Sequence, residues 1–128
     1  MGKATRENKN PCVVFKNGDK EVLIYNATAH PIRFVKVDGN EIIFPVSTYF
    51  ARIDDQTEFL GEIAPGVPTY RRRLYGGSGI PKDEVPGTYY IVSGIFHSAS
   101  AHRGDLLVPD NAVRDEKGRT TGCFGFYR

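Results

Sequence analysis

The sequence predicts an all-β, mainly antiparallel fold: a small, partly closed barrel or sandwich with one short helix near residues 94–101. Three observations carry this. Short apolar or alternating runs recur about every ten residues, with turn residues between them. Fourteen glycines and eight prolines punctuate the chain too often for long helices. No βαβ rhythm of strands and helix-length segments is visible.

Taken in order, residues 1–10 read as a flexible polar N-terminal arm, and residues 11–128 as a single β-rich domain. Pro11 to Phe15 is a short apolar run. Asn17, Gly18 and Asp19 form a strong turn signal, and Glu21 to Asn26 returns, so 12–25 is a predicted hairpin. Pro31 to Val37 alternates, Asp38 and Gly39 are two-residue hairpin turn residues, and Glu41 to Phe44 is the returning strand. Thr48 to Ile53 and Phe59 to Ile63 are further strand-like runs. Pro65 and Gly66 turn the chain into Val67 to Tyr75, which places Tyr70, Arg72 and Leu74 on one face and Arg71, Arg73 and Tyr75 on the other. Gly76, Gly77, Ser78 and Gly79 read as a loop. Thr88 to Val92 is the most hydrophobic strand and is expected at the centre of the sheet. Ser93 can cap a helix starting at Gly94, in which Ile95, Phe96 and Ala99 keep helical spacing. Leu106 to Val108 is a short strand. Val113 to Gly122 reads as a hairpin turning at Glu116, Lys117 and Gly118.

With 128 residues the chain is the size of one domain and can bury a core without staples. A formal net charge of only +2 argues against whole-surface electrostatic binding of nucleic acid, so any anion affinity must come from local clustering. Cys12 and Cys123 lie near opposite ends with no CxxC pair, which argues against a cysteine zinc site. They could pair if the termini meet, but two cysteines are also what a reducing compartment permits. No apolar run approaches a membrane span, and the polar start has neither a signal-peptide pattern nor a myristoylation motif. The expected location is the cytoplasm of a bacterial host, or a virion.

Several constellations invite a chemical reading. Arg71, Arg72 and Arg73, flanked by Tyr70 and Tyr75 and followed by the glycine-rich stretch, are the best anion candidates. Guanidinium forks match phosphate oxygens, rings stack on bases, and loop N–H groups face anions. The competing reading is an edge strand protected by charge. Asn26, Thr28 and His30 share one face of a strand, either lining a pocket or fixing a turn before Pro31. His97 and His102 are spaced wrongly for a helix-borne metal pair, and no metal or other cofactor is expected. Arg103 with Asp105, and Arg114 with Asp115, read as ion pairs tying loops together. The Arg-Gly-Asp spelling at 103–105 is too short a match to count. Asp105, Asp110 and Asp115 recur at regular spacing, yet no nucleophile is marked. Ser93 lacks an elbow context and Cys123 a local activator, so the sequence leans away from catalysis.

Two of these signatures carry a resemblance. Asn26, Thr28 and His30 form the first. Tyr90 to Ser93, Arg103, Asp105, Leu106, Pro109, Asp110, Arg114, Asp115, Gly118, Arg119, Gly122 and Cys123 form the second. Together they resemble the opening strand and C-terminal motif of a family of small, largely uncharacterised bacterial and phage proteins. The resemblance covers roughly residues 23–125. The chain departs from the pattern at Ala27 and Ala29, and its first twenty residues look like an addition. The resemblance implies a mobile-genetic-element setting rather than a chemistry, and makes Cys123 a packed strand residue.

The leading expectation is a non-catalytic, phage-type accessory protein that binds a small anionic, nucleotide-like ligand or a host protein. Its candidate ligand-binding residues are His30, Arg33, Arg71, Arg72, Arg73, Ser93, Arg103 and Asp105. One alternative is a virion structural or assembly protein whose N-terminal arm makes oligomer contacts. Another is a small enzyme with an Asp/His site. A homo-oligomer, and more weakly nucleic acid, are further candidate partners; a membrane is not.

Overall fold

A computed structural model describes residues 3–5, 10–100 and 102–128. Its strands are β1 (Lys3–Thr5), β2 (Cys12–Asn17), β3 (Lys20–Asn26), β4 (Ile32–Val35), β5 (Glu41–Phe44), β6 (Arg52–Ala64), β7 (Val67–Ser78), β8 (Thr88–Ile91), β9 (Leu106–Arg114) and β10 (Thr120–Tyr127), with one helix, α1 (Gly94–Ala99). Eight strands form one mixed sheet in the order β1-β2-β3-β8-β9-β10-β4-β5, while β6 and β7 form a separate two-stranded ribbon. Within the expected arm, β1 pairs antiparallel with β2 of its own chain; residues 6–9 lie outside the described residues.

The predicted hairpins form where the turn chemistry placed them. Gly18 and Gly39 adopt positive φ at their turns, a conformation that costs glycine little. Three expectations are corrected. The strand expected at Thr48 to Ile53 begins only at Arg52 and is continuous with the Phe59 to Ile63 run as β6. Gly76, Gly77 and Ser78 are not a loop but the end of β7, whose Ser78 pairs with Arg52. The loop begins at Gly79, where a side chain would meet the Phe50 carbonyl oxygen at 1.7 Å. One parallel βαβ unit is also present: β8 and β9 are parallel neighbours joined through α1. A parallel connection has to cross the sheet, and the short helix supplies the crossing.

The sheet curls into a nearly closed barrel. Closure occurs at the end of β3, where Asn26 bridges Val46, just beyond β5, in parallel. The far end of the strand order thus returns to its middle, and β1 and β2 extend from the wall as a flap. Val13, Ile24, Ile32, Phe34, Ile42, Phe44, Ile91, Leu107 and Phe126, drawn from all the barrel strands, pack into one cluster. Phe44 meets Phe126 edge-on at 5.7 Å, and Phe34 tilts against Phe126 at 5.6 Å. Burying a side chain such as Phe44 contributes about 1.5–3 kcal/mol.

A second cluster lies on the other side of β8 and β9. Tyr90, Val92, Leu106 and Val108 point there, joined by Cys12, Tyr25, Ala27, Ile80 and Phe96. The unbroken apolar stretches of β8 and β9 follow from this, since a strand covered on both faces has no solvent side to keep polar. Cys12 and Cys123 are free, buried thiols, and burial pushes both thiols up from their ordinary value.

Asn26 is fully buried. Its Nδ2 donates to the carbonyls of His30 at 2.7 Å and Phe44 at 3.1 Å, and its Oδ1 accepts from the Thr28 N–H at 3.0 Å and hydroxyl at 2.6 Å. Its own carbonyl accepts from the Ser47 N–H at 3.1 Å and hydroxyl at 2.7 Å. Replacing it strands buried backbone groups at the seam. Asn26→Ala should therefore lose about 3 kcal/mol in urea unfolding, and Thr28→Val about 1 kcal/mol, since the latter leaves the Asn26 side-chain amide satisfied.

Candidate functional site

The residues singled out from the sequence fall into four sets: His30, Arg33 and Ser93, which lie on three different elements, and three local groups. His30 is exposed, and it is its backbone carbonyl that enters the Asn26 knot. The strand-face signature of Asn26, Thr28 and His30 is thus a turn held by side chains. Arg33, on β4, is ion-paired with Glu41 on β5 and donates to the Thr121 hydroxyl of β10 at 3.3 Å. Ser93 is the N-cap of α1, its hydroxyl accepting from the Phe96 N–H at 3.2 Å, which satisfies one of the donors a helix start leaves open.

Arg103 and Asp105 form the second set. Nε donates to Oδ1 at 2.9 Å, Nη2 to Oδ2 at 2.6 Å and Nη1 to the Pro81 carbonyl at 2.8 Å. Both side chains are only 5% exposed. The guanidinium also lies 6.0 Å from the centre of the Tyr90 ring, and the Asp105 carbonyl accepts from the Tyr90 N–H at 2.9 Å. This fork-to-fork pair uses the hydrogen-bonding capacity that a bound anion would need. It clamps the loop after β7 and the segment after α1 onto β8. Glu84 and Arg128, which the sequence did not mark, belong to the same region: Glu84 accepts from the Gly104 N–H at 3.1 Å and Arg128 donates to the Gly104 carbonyl at 2.8 Å.

The third set lies in the turn between β9 and β10. Asp115 Oδ1 accepts from the N–H groups of Lys117 and Arg119, both at 2.9 Å, and Oδ2 from Arg119 Nε at 3.0 Å. These bonds, the Arg119 backbone first, hold its carboxyl below the ordinary value. Arg114 Nη1 donates to the Gly118 carbonyl at 2.9 Å, and Gly118 takes positive φ. Gly122 lies where a side chain would come within 2.7 Å of the Arg33 carbonyl oxygen, so its smallness lets β10 lie beside β4. The Arg-Asp-x-x-Gly-Arg pattern is a turn lock in which Asp115 pairs with Arg119 and not, as expected, with Arg114, and Gly122 is a strand contact.

The fourth set lies on the ribbon. Arg72 is held by Asp55, with Nε 2.7 Å and Nη2 2.5 Å from Oδ2. Arg71 stands opposite Glu58 and Arg73 opposite Gln56. These side chains and Thr57 line a shallow concavity of about 420 Å³. The expected cradle of glycine-loop N–H groups is absent, because Gly76 and Gly77 are strand residues. Asp55 of β6 is the partner of Arg72 that the sequence did not mark; the signal was available in the acid-rich and arginine-rich runs flanking the Pro65–Gly66 turn.

A larger cleft, about 820 Å³, opens between the ribbon base, α1 and the C-terminus, lined by Leu74, Ser93, Gly94, Ile95, Ser98, Ala99 and Tyr127. Its lining is mostly apolar, and it brings together only Ser93 of the candidate residues.

Removing one partner of the buried ion pair leaves a charge without compensation. Arg103→Met should lose about 3–5 kcal/mol, and Arg103→Met with Asp105→Leu should recover much of that loss; urea unfolding of the three proteins measures both. Tyr90 gives a pH signature. Burial first, then Tyr49 and Asp105, push its hydroxyl up to about 12 from an ordinary 10.0. The folded state holds this proton more tightly than the unfolded chain, so the contribution is complete below the unfolded pKa and fades as pH rises through the folded one. Melting temperature should therefore decline between pH 10.0 and about 12, and decline less steeply in Tyr90→Phe.

Compared with models of protein families, with curated proteins and with solved structures, the chain matches none.

Proposed function

We propose that this chain is a non-catalytic accessory protein that binds a macromolecule, and that the β6–β7 ribbon is its contact element. The observation that carries the reading is the ribbon's exposure. β6 has 13 residues and β7 has 12, a projection of roughly 40 Å at ~3.3 Å per residue. Every residue from 54 to 75 is exposed except Gly61 and Thr69, which are half-buried. Among them are Phe59 at 60%, Ile63 at 77% and Tyr70 at 58%. Scattered exposed apolar residues are ordinary, but a contiguous group on a projecting element marks an interaction surface.

Other features favour this reading over a small anionic ligand. Arg72 is engaged with Asp55, Arg33 with Glu41 and Arg103 with Asp105, Arg71 stands opposite Glu58, and the candidate ligand-binding residues as a whole do not converge. The polar signatures serve closure, capping and turn formation. Because β1 lies on β2 of its own chain, the ribbon is a better-supported contact element than the N-terminal arm. The resemblance to bacterial and phage proteins suits an accessory role in a host cytoplasm or a virion.

A photoreactive phenylalanine analogue placed at Phe59 should give a discrete cross-linked adduct in the producing cell. The same group at Val37, fully exposed in the turn between β4 and β5, should not. Equal labelling at both positions, or no adduct at Phe59, would refute the ribbon as the contact element.

A further inference from the structure

The two strands of the ribbon carry opposite charge. From Asp54↔Tyr75 to Phe59↔Tyr70 the register runs through consecutive pairs without a shift. Over that stretch β6 presents Asp54, Asp55 and Glu58 and no cation, while β7 presents Arg71, Arg72 and Arg73 and no acid. Among the described residues neither strand has another strand on its outer side, because the ribbon is a two-stranded sheet of its own. Such an edge offers a row of unpaired N–H and C=O groups that template a further strand.

Resting on the reading of the ribbon as the contact element, we propose that its partner is a second copy of this chain, the β6 edge of one copy pairing with the β7 edge of the next. In that arrangement every acidic strand gains a basic strand on its open side, repeating the ladder that already joins β6 to β7 within one chain. Like-edge pairing would set three carboxylates against three carboxylates, or three arginines against three arginines, and direct opposition of like charges in a sheet is destabilising. The charge pattern therefore selects a heterologous, head-to-tail contact over a two-fold one. Such contacts propagate into rings or open filaments rather than stopping at a dimer.

The register shifts limit how far the pairing extends. They fall at Arg52/Asp54, at the base, and at Phe59/Gly61 and Glu62/Ala64, towards the tip, and bulges of this kind twist an edge out of plane. Pairing is thus confined to 54–59 and 70–75. The apolar tip, with Leu60, Ile63 and Val67 exposed, is left to pack against the neighbouring tip. A nucleic-acid partner fits less well, because three carboxylates run alongside the three arginines.

Light scattering and sedimentation of the full-length chain at low and high salt test the proposal. Wild type should form assemblies larger than a dimer whose population falls as salt rises, since exposed charge pairs are screened. Two variants separate the edges: Asp54→Lys with Glu58→Lys makes β6 basic, and Arg71→Glu with Arg73→Glu makes β7 acidic. Each alone should assemble about tenfold more weakly, or not at all, from like-charge opposition. An equimolar mixture should reassemble, because the basic β7 of the first variant meets the acidic β6 of the second, and the acidic β7 of the second meets the basic β6 of the first. Melting curves on each variant establish that the barrel is folded. A wild type that stays monomeric, variants that assemble as wild type does, or a mixture of folded variants that fails to reassemble would each overturn self-association. An adduct at Phe59 whose mass is that of a different protein would overturn it as well while leaving the ribbon reading intact; absence of any adduct there would remove both.

Discussion

Closure of the barrel rests on the hydrogen bonds around Asn26. The backbone polar groups brought together at this seam come from the end of β3, the turn at His30, the end of β5 and the segment at Ser47. Buried groups of this kind need partners, and no regular ladder reaches all of them, because the pairing between β3 and the chain after β5 amounts to a single bridge. One asparagine amide, with two donors and two acceptor sites, does what a ladder would do elsewhere. An aspartate would lose the donors to the His30 and Phe44 carbonyls, and a leucine would lose everything. The residue type follows from the geometry of the seam, not from any ligand.

Closure in turn makes the aromatic interior possible. Phe44 sits on β5 and Phe126 on β10, on either side of β4 in the strand order, and the curvature of the sheet brings their rings edge-on. With the interior filled from all sides, the outer face of β8 and β9 still needs cover. The crossover through α1, the segment around Tyr49 and Ile53, and the flap at Cys12 supply it. The Arg103–Asp105 clamp fixes the loops bordering this outer layer. It is a costly device in desolvation terms, and its value lies in geometry: a bidentate pair holds a loop in one position where an apolar contact would let it slide.

Local chemistry was legible in the sequence, and non-local register was not. Asn17 with Gly18 and Asp38 with Gly39 announced hairpins because those turns need particular backbone conformations. Ser93 announced the helix start because a side-chain acceptor is wanted there. Thr88 to Val92 announced a central strand by its unbroken apolar run. By contrast, the parallel partnership of β4 with β10 has no local signature, and only Gly122, small because Arg33 passes close by, records it. The glycine run at 76–79 misled for a related reason. Glycine is a poor strand former in isolation, but here Ser78 is held opposite Arg52 and only Gly79 must turn. The arginine run of β7 reads as an anion site when β7 is taken alone; Asp55, which holds Arg72, lies on β6, across the hairpin.

The ribbon is the part of the molecule that barrel stability does not explain. A two-stranded ribbon is marginal by itself, and this one is exposed along most of its length. A shorter connection between β5 and β8 would close the same barrel with less apolar surface in water. Segregating acid to one strand and arginine to the other strengthens the ribbon internally, through contacts such as Arg72 with Asp55. Mixed charges on both strands would do that equally well, however, and would leave the two edges alike. What segregation alone achieves is a pair of edges that repel their own kind and attract each other, a selectivity built from repulsion as much as attraction. That property has consequences only between molecules, which is why the charge order of the ribbon points outward from the fold rather than into it.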